Sequence, residues 1–158
     1  MAVTYESAGR VRQKARERVR GTAAFFALKA FFLYAATHLK NRDLALLAFD
    51  GGDADAATGV VLADAATTVY FVYGKKPAGA DTDAYLVLFD DATDDAGAAT
   101  DARLSVDFQT GEDEIIVWFA NGIDMATGVV AKTYTDYDGT TDSTAGDSPH
   151  GFVIVAAN

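Results

Sequence analysis

The sequence predicts a mainly β protein, an antiparallel β-sandwich of about seven or eight strands preceded by a helical or extended N-terminal arm. Beyond Asp50, short runs rich in Val, Ile, Tyr and Phe alternate with clusters of Gly, Asp, Thr and Ala. Such regular punctuation is typical of sandwiches and barrels. Half of the 158 residues are apolar, which provides for a hydrophobic core. A third observation, the distribution of charge, separates the arm from the sandwich.

The charge of the chain is divided unevenly along its length. Residues 1–42 hold nine Lys and Arg and two acids, a net charge of +7. Residues 43–158 hold the other four bases and 21 acids, a net charge of −17. We therefore predict a basic, partly helical arm over residues 1–43 and an acidic β-sandwich domain over residues 44–158. The two parts should offer different electrostatic surfaces to partners.

Two helices are predicted in the arm. Between Tyr5 and Arg20 the bases alternate with small or apolar residues, and a thin apolar stripe recurs every four residues at Val11, Ala15 and Val19. Gly21 interrupts this pattern. Thr22 then begins a second helix that we expect to continue through Lys40, because Ala, Leu, Lys and Phe dominate and no Pro intervenes.

The second helix is apolar on almost every side. One face carries Phe25, Leu28, Phe32 and Leu39, and the other faces carry Phe26, Phe31, Leu33 and Tyr34. A helix of this kind is normally buried. The apolar run from Ala23 to Thr37 has 15 residues and contains Lys29, whereas a membrane span needs about 20. A signal peptide remains an alternative, although its basic region would be unusually long. We expect packing into the chain's own domain or into an oligomer interface.

Seven strands are predicted, near Gly59–Ala63, Thr67–Gly74, Ala84–Phe89, Arg103–Phe108, Glu114–Phe119, Gly128–Tyr134 and Phe152–Ala156. Leu44–Phe49 is either an eighth strand or the end of the arm. The second and third of the seven are apolar on both faces, which indicates central strands. In the fourth, Leu104, Val106 and Phe108 should point inward. The predicted turns are Asp50-Gly51-Gly52, Thr110-Gly111, Asn121-Gly122 and Asp138-Gly139.

No set of residues in the sequence predicts catalysis. The chain has no Cys and two histidines, His38 in an apolar helical segment and His150 in a loop. Neither lies in a nucleophile motif. Gly74-Lys75-Lys76 lacks the rest of a phosphate-binding loop, and Pro77 would block the helix that such a loop requires. We therefore predict that the protein is not an enzyme and needs no cofactor.

Two acidic loops raise the question of calcium. Their members are Asp50, Asp53 and Asp55 in one loop, and Asp136, Asp138 and Asp142 in the other. Oxygen-rich loops suit Ca²⁺. The second loop, however, has its Gly two positions too early for an EF-hand and lacks the Glu at the twelfth position. We expect solvated acidic turns and assign no metal ligand.

The arm is predicted to bind a partner. The residues assigned to this role are Arg10, Arg12, Lys14, Arg16, Arg18, Arg20, Phe25, Phe26, Phe31 and Phe32. Three kinds of partner are open: nucleic acid, although no aromatic residue is interleaved for base stacking; an anionic membrane surface; or an acidic protein. A solvated helix without a partner is the alternative to all three.

From Thr67 to Asn158 the sequence resembles a β-sandwich pattern found in small virion proteins of tailed bacteriophages. The matching motifs are Ala84-Tyr85-Leu86-Val87-Leu88-Phe89-Asp90, Gly122-Ile123-Asp124-Met125-Ala126-Thr127-Gly128-Val129-Val130, Asp138-Gly139-Thr140-Thr141-Asp142-Ser143-Thr144-Ala145-Gly146-Asp147 and Gly151-Phe152-Val153-Ile154-Val155. Residues 1–50 have no counterpart in that pattern.

The resemblance implies a component of a phage virion, such as a capsid decoration or cement protein that binds the major capsid protein lattice and stabilises the head. The arm would hold the lattice, and lattice symmetry would favour a homotrimer. We then expect neither nucleic acid nor a membrane as the partner. The alternatives are a tail or head-fibre module that binds carbohydrate or a host surface through Trp118, Tyr134 or Tyr137, and a nucleic-acid or membrane tether.

Overall fold

A computed structural model describes residues 2–50, 59–77, 83–93, 102–108, 114–135 and 148–158. Two helices precede all of the strands. The elements are α1 (Ala8–Arg18), α2 (Thr22–His38), β1 (Leu44–Phe49), β2 (Val60–Ala63), β3 (Thr67–Lys75), β4 (Ala84–Phe89), β5 (Ala102–Phe108), β6 (Glu114–Met125), β7 (Val129–Tyr134) and β8 (His150–Ala157).

The strands form two antiparallel four-stranded sheets. The first sheet has the order β1-β8-β3-β6, and the second has the order β2-β7-β4-β5. Their inner faces enclose one core, to which β3 contributes Val69 and Val72, β4 contributes Leu86 and Leu88, and β5 contributes Phe108. The predicted antiparallel sandwich is confirmed.

The strand faces follow the pattern of the sequence. β3 and β4 each lie between two neighbouring strands, as predicted. Both of their faces are apolar because one face lies in the core between the sheets and the other lies in a separate cluster, which for β3 includes the helices. β5 lies at an edge, where Val106 and Phe108 are buried and Leu104 is half-buried, while Arg103 and Asp107 are exposed. Leu44–Phe49 is a strand, since it pairs along its whole length with β8.

The prediction of a turn at Asn121-Gly122 is wrong, because β6 continues through these residues to Met125. Gly122 has a φ of +70°, and a Cβ there would collide with Thr68 and Tyr70 of β3. In β3 only Tyr70 separates Val69 from Phe71, whereas their partners in β6, Ile123 and Trp118, are separated by four residues. The extra residues form a bulge in β6, and Gly122 supplies the positive φ with which the strand resumes its pairing instead of reversing direction.

Both helices pack on the outer face of the first sheet. Their buried side chains share a second hydrophobic cluster with residues of β3 and β8. Phe31 is fully buried at its centre, with ring centroids 5.5 Å from Phe71 and 6.0 Å from Trp118. The helices are thus a third layer of the fold, which we call the helical layer (Ala8–Arg18 and Thr22–His38).

The chain preceding α1 is also tied to the sheet. The backbone N–H of Glu6 donates to the carbonyl oxygen of Leu44 at 2.7 Å, and the N–H of Leu44 donates back to Glu6 at 2.8 Å. Residues 6–38 are therefore held against the sandwich at both ends of α1 and along α2, and they do not project from it.

Candidate interaction surface

α1 turns its bases outward. The predicted apolar stripe is confirmed, because Val11, Ala15 and Val19 are buried against the rest of the chain. All six bases between residues 10 and 20 are exposed. The local reason is the periodicity of the helix: a residue spacing of four keeps the stripe on one side, so the intervening bases cover the remaining circumference.

Two of these bases form ion pairs with Glu6. Glu6 pairs with Lys14 and lies 3.7 Å from a guanidinium nitrogen of Arg10. Arg16 lies with its guanidinium carbon 5.1 Å from the centre of the Phe25 ring. Within the residues that the structure describes, no ion pair involves Arg12, Arg16, Arg18 or Arg20. Their charge is therefore available to a partner.

α2 contributes apolar side chains to the same surface. Its inward face holds Leu28, Phe31 and Ala35. On its outward side, Phe26 and Leu33 are each 64% exposed. Phe25 is 39% exposed, beside α1. In the described part of the chain these three are the exposed large hydrophobic residues, and all of them lie on one helix. Such a concentration is a signature of an interaction site.

The helical layer is fixed to the sheet by polar contacts as well as by its core. The hydroxyl of Tyr34 donates to the carbonyl oxygen of Ala120 on β6. Just beyond α2, Arg42 donates to the hydroxyl of Tyr70 at 3.3 Å. The exposed residues are consequently presented on a preorganised scaffold, which lowers the entropy cost of binding.

The structure brings together eight of the ten residues that the sequence assigned to partner binding: Arg10, Arg12, Lys14, Arg16, Arg18, Arg20, Phe25 and Phe26. Phe31 and Phe32 are buried in the cluster beneath the helices, so they support the surface and cannot contact a partner directly. Sequence reasoning missed Leu33 and Lys29 as surface residues. The seven-residue spacing of Phe26 and Leu33 is the signal that could have grouped them.

Asp90, Thr127 and Arg103 meet in the sandwich, away from this surface. Asp90 accepts hydrogen bonds from the backbone N–H of Thr127 at 2.8 Å and from its hydroxyl at 2.9 Å. Arg103 pairs with the same carboxylate at 3.2 Å. Burial alone would raise the pKa of Asp90, but the hydrogen bonds from Thr127, Ala126 and Arg103 lower it to about 2. These residues hold a loop in place.

The other candidate residues form no comparable site. His150 is exposed, and His38 is also exposed and stacks on Tyr34 with ring centroids 4.3 Å apart. Trp118 is half-buried beneath the helices, and Tyr134 is buried. Of the two acidic loops, Asp50 is described and exposed, whereas Asp53, Asp55, Asp136, Asp138 and Asp142, together with Tyr137, lie outside the described residues.

Within the described ranges, no group of three or more His, Asp or Glu side chains is arranged to hold a metal ion. No helix in those ranges is long and apolar enough to cross a membrane. Comparisons with protein-family models, with curated proteins and with solved structures found no match.

Proposed function

We propose that the chain is a structural protein of a phage virion, a capsid decoration or cement protein that acts through binding alone. Its helical layer binds an acidic face of the major capsid protein lattice, and its acidic sandwich faces solvent. The virion setting is supported by the resemblance of residues 67–158 to small phage sandwich proteins. The binding mode is supported by the helical layer itself.

One observation carries the binding mode. Four arginines that form no ion pair within the described residues, and three exposed apolar side chains, lie on a single layer that packs on a domain of opposite charge. The charges attract an acidic surface over a Debye length of about 8–10 Å. The apolar side chains then gain about 25 cal/mol for each Å² that they bury. The repulsion between two acidic surfaces orients the sandwich away from the lattice.

Copies of the chain would sit at symmetry-related positions of the lattice. A position with three-fold symmetry would place three copies together, which favours a homotrimer. Many copies bound at equivalent sites would also oppose dissociation of the capsid, because each copy would bridge neighbouring capsid subunits. The stabilisation of the head in this proposal comes from buried area and charge complementarity, with no covalent step.

Co-sedimentation with empty capsids tests the proposal. The intact chain should pellet with capsids, and the double substitution Arg12→Gln with Arg16→Gln should weaken binding by about tenfold or more, equivalent to about 1.4 kcal/mol. A matched control is Ala65→Glu with Ser105→Glu, which lowers the net charge by the same two units at exposed sandwich positions. The control should change binding less than twofold. Failure of the intact chain to pellet with capsids would refute the proposal.

A further inference from the structure

The exposed face of α2 carries a heptad pattern of apolar and small residues that do not pack against the described part of the chain. Counting from Ala23, the apolar or small residues fall at alternating intervals of three and four, at Ala23, Phe26, Ala30, Leu33 and Thr37. All five are exposed. We call this row the α2 seam. In coiled coils the same intervals mark the two core positions at which helices meet.

The α2 seam is separate from the face that holds the helix on the sheet. Leu28, Phe31 and Ala35 already bury the inward side of α2. The seam lies opposite to them, and the part of the chain that the structure describes leaves it exposed. A solvent-facing helix side normally carries charged and polar residues. Here its middle is occupied by Phe26 and Leu33, each 64% exposed.

The side chains of the seam alternate in size. Large residues occupy one heptad position, at Phe26 and Leu33, and small residues occupy the other, at Ala23, Ala30 and Thr37. Side chains of a facing helix fit into the spaces above the small residues, while the large ones insert between turns of that helix. The seam covers four turns, a length of about 22 Å at 1.5 Å per residue. A helix of about two heptads would match it, and a helix of three heptads would extend past both of its ends.

The charges beside the seam define the partner further. Lys29 is exposed on its flank, and Arg16 of α1 lies over Phe25 on the same side. A facing helix would therefore be stabilised by Asp or Glu next to its apolar positions. A second copy of α2 would instead bring a second set of bases to the contact, which disfavours pairing between identical chains.

We propose that the α2 seam binds an acidic amphipathic α-helix of the partner by coiled-coil packing. This inference rests on the proposed function, which it deepens: it names the structural element through which the acidic partner is held. The bases of α1 supply long-range attraction, and the seam supplies the apolar contact and the orientation.

A peptide probe tests the seam with the intact chain. The probe is a synthetic peptide of three heptads, with Leu and Ala at its core positions and Glu beside them. It should bind and gain helicity in circular dichroism. Phe26→Ser and Leu33→Ser should each weaken binding by about tenfold or more. Two control peptides have the same length: one keeps the composition but has the heptad order scrambled, and the other has Lys in place of Glu. Both should bind at least tenfold more weakly.

The outcomes separate this inference from the proposed function. Equal binding of the ordered and scrambled peptides, or no binding, would overturn the inference. So would self-association of the chain that Phe26→Ser abolishes, or seam-dependent binding to anionic vesicles or DNA in place of the peptide. Capsid binding that survives both seam substitutions would also overturn it while leaving the proposed function in place. Peptide binding without capsid binding would overturn the proposed function and leave the helix-binding role of the α2 seam in place. Trp118 fluorescence verifies that each variant is folded.

Discussion

The carboxylate of Glu114 on β6 occupies the space beside Gly21 in which any other residue would place its Cβ. A Cβ on Gly21 would lie 2.5 Å from one carboxylate oxygen and 2.7 Å from the other. Gly21 is the N-cap of α2 and has no side chain with which to cap it. The sheet thus supplies a negative charge at the N-terminus of the helix, where the helix dipole favours it. This contact joins the two layers at the start of α2.

The first prediction concerns this contact. Gly21→Ala should destabilise the protein by about 1 kcal/mol, because the Glu114 side chain must move away from the helix terminus and Ala is a poorer N-cap than Gly. The matched control is Gly9→Ala in α1, where a Cβ meets nothing within 4 Å. It should stabilise by about 0.5–1 kcal/mol, the usual gain of Ala over Gly in a helix. Urea denaturation measures both, and equal effects of the two substitutions would contradict the account.

The second prediction compares two phenylalanines of α2. Phe31→Ala should cost about 3–5 kcal/mol, because the side chain is fully buried between Phe71 and Trp118. Phe26→Ala should change the free energy of unfolding by no more than about 0.5 kcal/mol, since Phe26 is mostly exposed. Guanidinium denaturation followed by Trp118 fluorescence and by far-ultraviolet circular dichroism gives both values. Transitions that do not coincide would show that the helical layer unfolds separately from the sandwich.

The third prediction follows from the pKa of Asp90, which is about 2 in the folded chain against an ordinary value of 3.8. Because the folded value is the lower one, the carboxylate stabilises the fold at pH values above 3.8, and this contribution is lost as the pH falls through 2. The difference corresponds to about 2 kcal/mol. Asp90→Asn should therefore lower stability at pH 6 and flatten the dependence of stability on pH below 4.

The control for the third prediction is Asp43→Asn at an exposed position. It should lack the effect of Asp90→Asn, since within the described residues no hydrogen bond or ion pair holds the Asp43 carboxylate as Thr127 and Arg103 hold that of Asp90. Urea titrations between pH 2 and 6 compare the three proteins. If the free energy of unfolding of Asp90→Asn falls as steeply with decreasing pH as that of the unmodified chain, Asp90 is not the titrating group.

The fourth prediction is that deletion of residues 2–21 destabilises the sandwich. α1 contributes Val11, Ala15 and Val19 to the cluster that covers the outer face of the first sheet. Removing them exposes apolar area on β1 and β8, so the melting temperature should fall and dye binding to exposed apolar surface should increase. Thermal unfolding measures the effect. The charge substitutions at Arg12 and Arg16 are therefore better tests of binding than truncation, because both side chains are exposed.

Much of the fold follows from local pattern. The strand positions, the inward residues of β5 and the buried stripe of α1 all follow from periods of two or four residues. The continuation of β6 through Asn121 and Gly122 does not, because it depends on the pairing with β3 that resumes at Ile123 after a bulge in β6. An Asn-Gly pair favours a turn only when no neighbouring strand holds the chain extended.

The candidate surface was predictable in its charge but not in its apolar part. The bases of α1 are exposed because a buried base is costly, which a sequence alone indicates. α2, however, is apolar on nearly every side, so its sequence cannot tell which side meets the sheet. That choice is made by tertiary packing: Phe31 fits between aromatic rings of the first sheet, and Phe26 and Leu33 are left outside. The predicted role of Phe31 and Phe32 in direct contact fails for this reason.

A density map of a phage particle would show which face of the chain meets the coat lattice. We expect the chain to lie on the lattice with Arg12, Arg16, Phe26 and Leu33 facing an acidic surface of the major capsid protein, and with the edge strand β5 facing solvent. A chain whose helical layer faces solvent, or a particle from which the protein is absent, would refute the proposed function.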